Sequence, residues 1–289
     1  MPHVLPIEKI VRPSAAETIL ACAAALRGAV PDAEPVAFWD FDGTLFEGDC
    51  SEGFTSGNHG HVPGLVESAV AAGWSAQYPA AEGFGRCWDD YCRIMENSGP
   101  AAAYLHFVRI FVGAPEAALR QLAHGEFMGR LKPWFFPEAL ELWHRLESGG
   151  VRCRVVSASA DFFVKGAAAL LQVPPDRLHG IRLGVAADGL LQSEALAPVT
   201  VGDGKAELVR RVLAAGGPEA GVRRFAVAAL GNDFFTDGPM LEAVAGCRLP
   251  AGVPFAALIN SAAAAPPSAP STTALADQLN QLTFARRAP

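Results

Sequence analysis

In the stretch Val36-Ala37-Phe38-Trp39-Asp40-Phe41-Asp42-Gly43-Thr44-Leu45, four hydrophobic residues run into two carboxylates one residue apart, followed by a Gly-Thr turn. A buried strand that ends in Asp-x-Asp-Gly-Thr sets two acids at the carboxyl edge of a sheet, where open α/β sheets bind their ligands. Alternate residues of a strand face the same way, so the spacing suits two acids serving one site. The competing reading is an acidic turn after an ordinary strand, since Asp and Gly are common turn residues.

On either side of that stretch the chain is long enough, at 289 residues and 51% hydrophobic, for one large domain or two modest ones. Acids exceed bases by seven. That balance argues against a nucleic-acid backbone or an anionic membrane as partner, yet leaves room for a small phosphorylated ligand whose charge a metal offsets locally. The six cysteines are scattered and form no CxxC pair, which fits reduced buried thiols in a cytoplasmic protein. No apolar run reaches the roughly eighteen residues a membrane span needs. Lys9 and Arg12 ahead of the apolar run 19–26 faintly suggest a secretion signal, but Ser14-Ala15-Ala16-Glu17 is a capping box and Arg27 stops the run. An ordinary helix is expected there.

Residues 47–132 have a different texture. Helix-compatible runs at 63–72, 86–95, 101–112 and 115–131 are separated by Gly and Pro clusters, and strand-like runs are few. An all-helical insertion is expected, its dense aromatics mostly buried for want of other core. From Pro137 strands and helices alternate: helix 138–148, strand 151–156, helix 162–171, a hairpin of 181–185 with 189–192, helix 204–214, strand 225–230, helix 239–244 and a last strand at 254–260. The fold class expected is therefore α/β, a Rossmann-like, mostly parallel sheet with helices on both faces. Its core domain would be discontinuous, 1–46 and 133–289, with residues 47–132 as a helical cap. Residues 262–272, rich in Ala, Pro and Ser, read as a loose linker, and 274–282 as a short docked helix.

Asp40/Asp42, Ser157, Lys205 and Asp233/Asp237 all fall at strand ends or helix starts. Singly, each has a bland reading as a cap, turn or solvated helix residue. Together they supply what phosphoryl transfer needs: a carboxylate to attack phosphorus, a second carboxyl group to move the proton, a hydroxyl and an ammonium to hold phosphate oxygens. Acids crowded around a phosphate dianion require a hard cation, and Mg²⁺ with oxygen ligands fits best.

At these residues the chain resembles the haloacid dehalogenase superfamily of phosphohydrolases, in the phosphoserine/phosphorylcholine phosphatase-like branch with a helical cap after the first motif. Asp40-Phe41-Asp42-Gly43-Thr44 matches motif one, Val155-Val156-Ser157-Ala158-Ser159 motif two, Gly204-Lys205 motif three, and Asp233 with Asp237 motif four. The resemblance implies Asp40 as nucleophile and metal ligand, and Asp42 as general acid/base lending its backbone carbonyl to the metal. It implies Ser157, Ala158 and Lys205 around the phosphate, Asp233 as a direct metal ligand, and Asp237 orienting metal-bound water and Lys205. Motif four usually reads Gly-Asp, whereas Asn232 stands here between Gly231 and Asp233, so a rival alignment makes Asn232 the metal ligand.

Asp42 selects among reaction classes, because members that cleave carbon–halogen bonds or phosphonates lack an acid two residues after the nucleophile. The expectation is a Mg²⁺-dependent phosphomonoesterase working through an aspartyl-phosphate. The alternatives are a phosphomutase or phosphotransferase of the same superfamily, or an idle phosphate-binding regulatory protein. Asp49, at the first turn of the insertion, stands where phosphoserine phosphatase-like members place an acid against the substrate's amino group; its bland reading is a surface acid. Trp88, Tyr91, Tyr104 and Phe111 loosely resemble the cap of phosphorylcholine phosphatases and suit a quaternary ammonium, though core packing explains them as well. The substrate expected is a small amine-bearing phosphomonoester: phosphoserine, phosphocholine or phosphoethanolamine. His59-Gly60-His61 invites a transition-metal reading, but no Cys or acid stands at ligand spacing.

Overall fold

A computed structural model of the chain describes residues 14–216, 221–260 and 279–284. Helix α1 (Ala15–Ala29) opens it with the expected capping box: the Glu17 amide donates to Ser14 Oγ, and the Ser14 amide donates to Glu17 Oε2. Strand β1 (Ala33–Trp39) follows, then a hairpin of β2 (Gly53–Ser56) and β3 (Gly60–Pro63). Helices α2 (Leu65–Ala71), α3 (Gly85–Ser98), α4 (Pro100–Arg109) and α5 (Glu116–Met128) complete the segment between β1 and the next strand of the main sheet. After α6 (Pro137–Ser148) come β4 (Arg152–Ala160), the short helices α7 (Asp161–Val164) and α8 (Ala168–Leu171), β5 (Leu178–Val185), β6 (Leu191–Leu196), α9 (Asp203–Ala214), β7 (Arg223–Gly231), α10 (Phe234–Ala245), β8 (Phe255–Ile259) and β9 (Asn280–Leu282).

The main sheet has seven strands in the order β6-β5-β4-β1-β7-β8-β9, all parallel except the β5–β6 hairpin. β1 lies at its centre and is buried along most of its length. Its side chains alternate between two cores. Ala37 and Trp39 join the larger core with α1 and α6, where Trp39 meets Trp143 edge to face at 5.6 Å. Val36 and Phe38 join the smaller core beneath α9 and α10. A sheet apolar on both faces and covered on both faces is the doubly wound α/β arrangement expected from the strand–helix alternation.

Three departures from the sequence reading have local causes. The segment between β1 and β4 is helical except for β2–β3, so the all-helical expectation is corrected there; Gly53 at φ +80° and Gly60 at φ +66° supply the backbone turns the hairpin needs. The helix expected over 162–171 is broken between α7 and α8 by a 3₁₀ turn at Lys165–Ala167. Residues 280–282, expected to end a helix, form β9 and pair with β8; residues 261–278, with the linker, lie outside the described residues, as do Lys9 and Arg12.

The inserted helices sit firmly on the rest of the chain. Helix α5 lies so close to Gly166 that a Cβ there would meet Ala123 Cβ at 2.6 Å. Phe127 packs edge to face on Phe41, and the Gly113 and Glu116 amides donate to Leu191 O and Gly189 O at the β5–β6 turn. Among the described residues no helix is long and apolar enough to cross a membrane.

Candidate active site

Register brings the site together. Trp39 pairs with Val155 of β4 on one side and Leu230 of β7 on the other, so the residues that follow these three lie side by side at one edge of the sheet. The Asp40 amide donates to Leu230 O at 2.8 Å, fixing the residue after β1 against β7. From that shared edge opens a cavity of about 720 Å³, a size usual for small-molecule sites. Asp40, Asp42, Glu47, Asp49, Tyr104, Ala158, Ser159, Lys205, Asn232 and Asp233 line it, with Phe54 and Phe136 as its large apolar surfaces.

On the sheet side the charges are matched. Lys205, the third residue of α9, is 1% exposed and donates to Asp40 Oδ1 at 2.6 Å and Asp237 Oδ1 at 2.5 Å. The other Asp40 oxygen accepts from Thr44 Oγ1 at 3.2 Å. Asp237 is fully buried and its Oδ2 accepts from the amides of Asn232 and Asp233. Burial alone would pull Lys205 down, but Asp237 and Asp40 push it above the ordinary lysine range, so it stays an ammonium. Burial, with Asp237 and Asp42 beside it, pushes Asp40 up to about 7 against the pull of Lys205.

Asp42 is anchored differently. Its Oδ1 accepts from the Cys50 amide at 2.7 Å and its Oδ2 from Ser159 Oγ at 2.7 Å, with Ser157 Oγ farther off at 3.4 Å. Burial and the nearby Asp49 push it up to about 7, a value at which a carboxyl group can exchange a proton near neutrality. Ser157 itself is fully buried, accepts from the Ser159 amide and does not line the cavity; its neighbours Ala158 and Ser159 do. Ser159 is therefore a site residue that the sequence reading missed. The signal was present: a second hydroxyl two residues after the first, the same spacing as Asp40 and Asp42.

The two motif-four candidates separate clearly. Asp233 is the N-cap of α10, its carboxylate accepting from the Phe235 and Thr236 amides and from Thr236 Oγ1. The Asn232 side chain instead lies over Gly43, where a Cβ would fall 1.9 Å from Asn232 Nδ2. Gly43, at φ +73°, leaves that cradle open beside Asp42. Gly231 performs a similar service for Asp237, whose carboxylate would strike a Cβ at 2.6 Å. Among the described residues no three His, Cys, Asp or Glu side chains converge as a ready-made metal site. Asp237, expected to orient metal-bound water and Lys205, has one oxygen on Lys205 and the other on the two backbone amides.

The wall supplied by the insertion is acidic and aromatic. Asp49 Oδ1 accepts from the Ser51 and Glu52 amides at 2.8 and 2.7 Å, and Tyr91 donates to Glu52. Burial and the neighbouring Glu52 push Asp49 up to about 7. Of the aromatics singled out, Tyr104 lines the cavity; Tyr91 is stacked on Phe107 at 3.9 Å and buried, and Phe111 is buried against Phe162 and Phe163. His59 and His61 do not converge: His59 lies against the Trp134 ring, and His61 pairs with Glu67 at the surface. Cys50 is buried, and its thiol, pushed well up by burial, stays protonated.

Comparison with known proteins agrees with this layout. A family model described as haloacid dehalogenase-like hydrolase matches residues 37–242. A protein of unknown function from Bordetella pertussis Tohama I superposes with a TM-score of 0.58 at 16% identity, over 86% of this chain and 98% of that one. A HAD-family hydrolase from Salmonella enterica serovar Typhi gives 0.51 at 15% identity, over 88% and 69%. A cytosolic 5'-nucleotidase IIIB bound to cytidine gives 0.54 at 16% identity, over 94% and 86%. At such identities these structures share the fold. Among curated proteins no match is found.

Proposed function

Because the chain belongs to the haloacid dehalogenase-like hydrolase family, we propose that it is a phosphomonoesterase acting on a small phosphate ester through an aspartyl-phosphate formed on Asp40. The observation that carries this reading is the pair of carboxylates with separate surroundings: Asp40 bound to a buried ammonium, Asp42 bound to a hydroxyl and an amide. Contacts of these two kinds suit one carboxylate to attack and the other to carry a proton. An oxygen of Asp40 attacks phosphorus, and the bond from phosphorus to the ester oxygen breaks. Its electron pair goes to the leaving oxygen, which takes a proton from Asp42. Asp42, now a carboxylate, then removes a proton from the water that attacks the acyl phosphate, and Asp40 is regenerated. Lys205 holds Asp40 in place and meets the phosphate oxygens.

The donor types suit a Mg²⁺ ion: the Asp40 carboxylate, the Asp42 backbone carbonyl and the Asn232 side-chain oxygen, all from residues that line the cavity, would be its hard oxygen ligands. When bound, such an ion would neutralise the phosphate's charge against the surrounding acids. Asp233, occupied as a helix cap, is the weaker candidate for that position. Asp49 lines the cavity with its Oδ1 on two backbone amides and, among the described residues, without a Lys or Arg partner, which supports a substrate whose non-phosphate end is cationic, an amine or quaternary ammonium beside Asp49 and Tyr104.

The test is phosphate release from a panel of phosphomonoesters, with and without Mg²⁺, comparing wild type with Asp40→Asn. Turnover by wild type is expected on at least one amine-bearing ester and is lost in the variant. Turnover that survives Asp40→Asn would refute the mechanism. In the same titrations Asn232→Ala is expected to raise the Mg²⁺ requirement more than Asp233→Ala does.

A further inference from the structure

Two groups that have no part in the mechanism above converge on the proton-carrying carboxylate. Ser159 Oγ donates to Asp42 Oδ2 at 2.7 Å, and the Cys50 amide, at the start of the inserted segment, donates to Asp42 Oδ1 at 2.7 Å. Ser159 is in turn fixed from both sides. Its amide donates to Ser157 Oγ at 3.0 Å, and the Cys50 thiol donates to its hydroxyl at 3.6 Å. At 6% exposure it has little freedom to turn elsewhere, yet it reaches the cavity wall. A carboxylate on a strand-end turn has a free χ1 and a broad, roughly two-fold χ2. Two donors on opposite oxygens remove that freedom.

We propose that Ser159 is a positioning residue for Asp42, fixing the orientation in which it hands its proton to the leaving oxygen. The proposal rests on the phosphomonoesterase reading. In the step concerned, Asp40 bonds to phosphorus and the phosphorus–ester oxygen bond breaks. The electron pair and the Asp42 proton end on the leaving oxygen, and the carboxylate that remains is the species which the Ser159 hydroxyl and Cys50 amide stabilise. Without the hydroxyl, Asp42 keeps its identity but loses one of two fixed contacts, and a misdirected acid gives up much of the roughly 10²–10⁴-fold that general acid catalysis supplies.

The experiment compares Ser159→Ala, Ser159→Thr and wild type on two esters of one series, an alkyl phosphate and p-nitrophenyl phosphate. It reads kcat/KM, which reports the step that expels the leaving group. An alkoxide needs the proton, whereas p-nitrophenolate leaves readily without it. In Ser159→Ala the value for the alkyl ester is expected to fall on the order of 10–100-fold, that for the aryl ester far less, and Ser159→Thr to recover much of the loss. Equal losses on both esters, or a rise in KM alone, would assign Ser159 to substrate binding or to structure and overturn the proposal. So would a threonine variant as impaired as alanine. A wild type with no turnover on either ester or on the wider panel would instead overturn the phosphatase reading, so the two failures are distinguishable.

Discussion

The two walls of the cavity handle buried charge in opposite ways. The sheet wall sets Asp40 and Asp237 around one ammonium, with Lys205 within 2.6 Å of both and backbone amides on the remaining Asp237 oxygen. The inserted wall gathers Asp49 and Glu52 with amides and the Tyr91 hydroxyl; among the described residues neither acid has a Lys or Arg partner. Asp42 stands between the walls, tied to the sheet side through Ser159 and to the insertion through the Cys50 amide. A wall that balances its own charge is built to hold a fixed constellation. On the function proposed above, a wall that leaves acids without a cation is the one that receives a cationic substrate.

The strongest way to break the comparison is Lys205→Met. It strands Asp40 and Asp237 without their cation, and removing one member of a buried charge cluster costs about 3–5 kcal/mol. Urea denaturation near neutral pH should show that loss, with part of it recovered by adding Asp237→Asn. A variant as stable as wild type would mean that the sheet wall is not held by its charges. Next comes Asp49→Ala, which tests whether the inserted wall selects a cation. A hydrogen bond to a charged group is worth about 1.5–3 kcal/mol. The kcat/KM ratio of amine-bearing to neutral esters should therefore fall roughly tenfold to a hundredfold, while the rate on the neutral ester changes less. An unchanged ratio would remove the amine from the substrate.

The smallest effect concerns stability. Burial and Glu52 push Asp49 up to about 7 in the folded chain, above the ordinary carboxylate range of the unfolded one. Between those values the folded state binds more protons, so its stability falls as pH rises through the window from about 4 to about 7. Asp49→Asn keeps the oxygen that accepts from Ser51 and Glu52 and removes the charge. It should raise the melting midpoint by a few degrees at pH 8, of order 2–4 °C per kcal/mol for a chain of this size, and the gain should vanish near pH 4. A midpoint gain equal at both pH values would show that the acid is not charged at the expense of the fold.

Asp40, Asp42 and Lys205 were legible because each sits at a strand end or helix start that apolar patterning marks by itself. The parallel sheet and the β5–β6 hairpin followed from the same alternation. Ser159 was not, because its partner lies 117 residues away and only the register of β1 against β4 brings the two together. The different surroundings of Asn232 and Asp233 were equally closed to sequence. Both fit a turn after Gly231, and what separates them is that α10 uses one as its cap while the other falls over Gly43. The pair β2–β3 and the strand β9 were missed because runs of four and three residues carry little periodicity. β9 is a strand by virtue of the open edge of β8 beside it.

The sequence by itself determined the α/β core and set Asp40, Asp42 and Lys205 at strand ends and a helix start, since period, caps and strand-end turns are local properties of a chain. Only the tertiary structure decided which oxygen each carboxylate exposes, which hydroxyl holds Asp42, and which acids are left without a cation. Those depend on distances between segments far apart in sequence, set by strand register and by how the turn after β1 is held between the sheet and the helices that follow it.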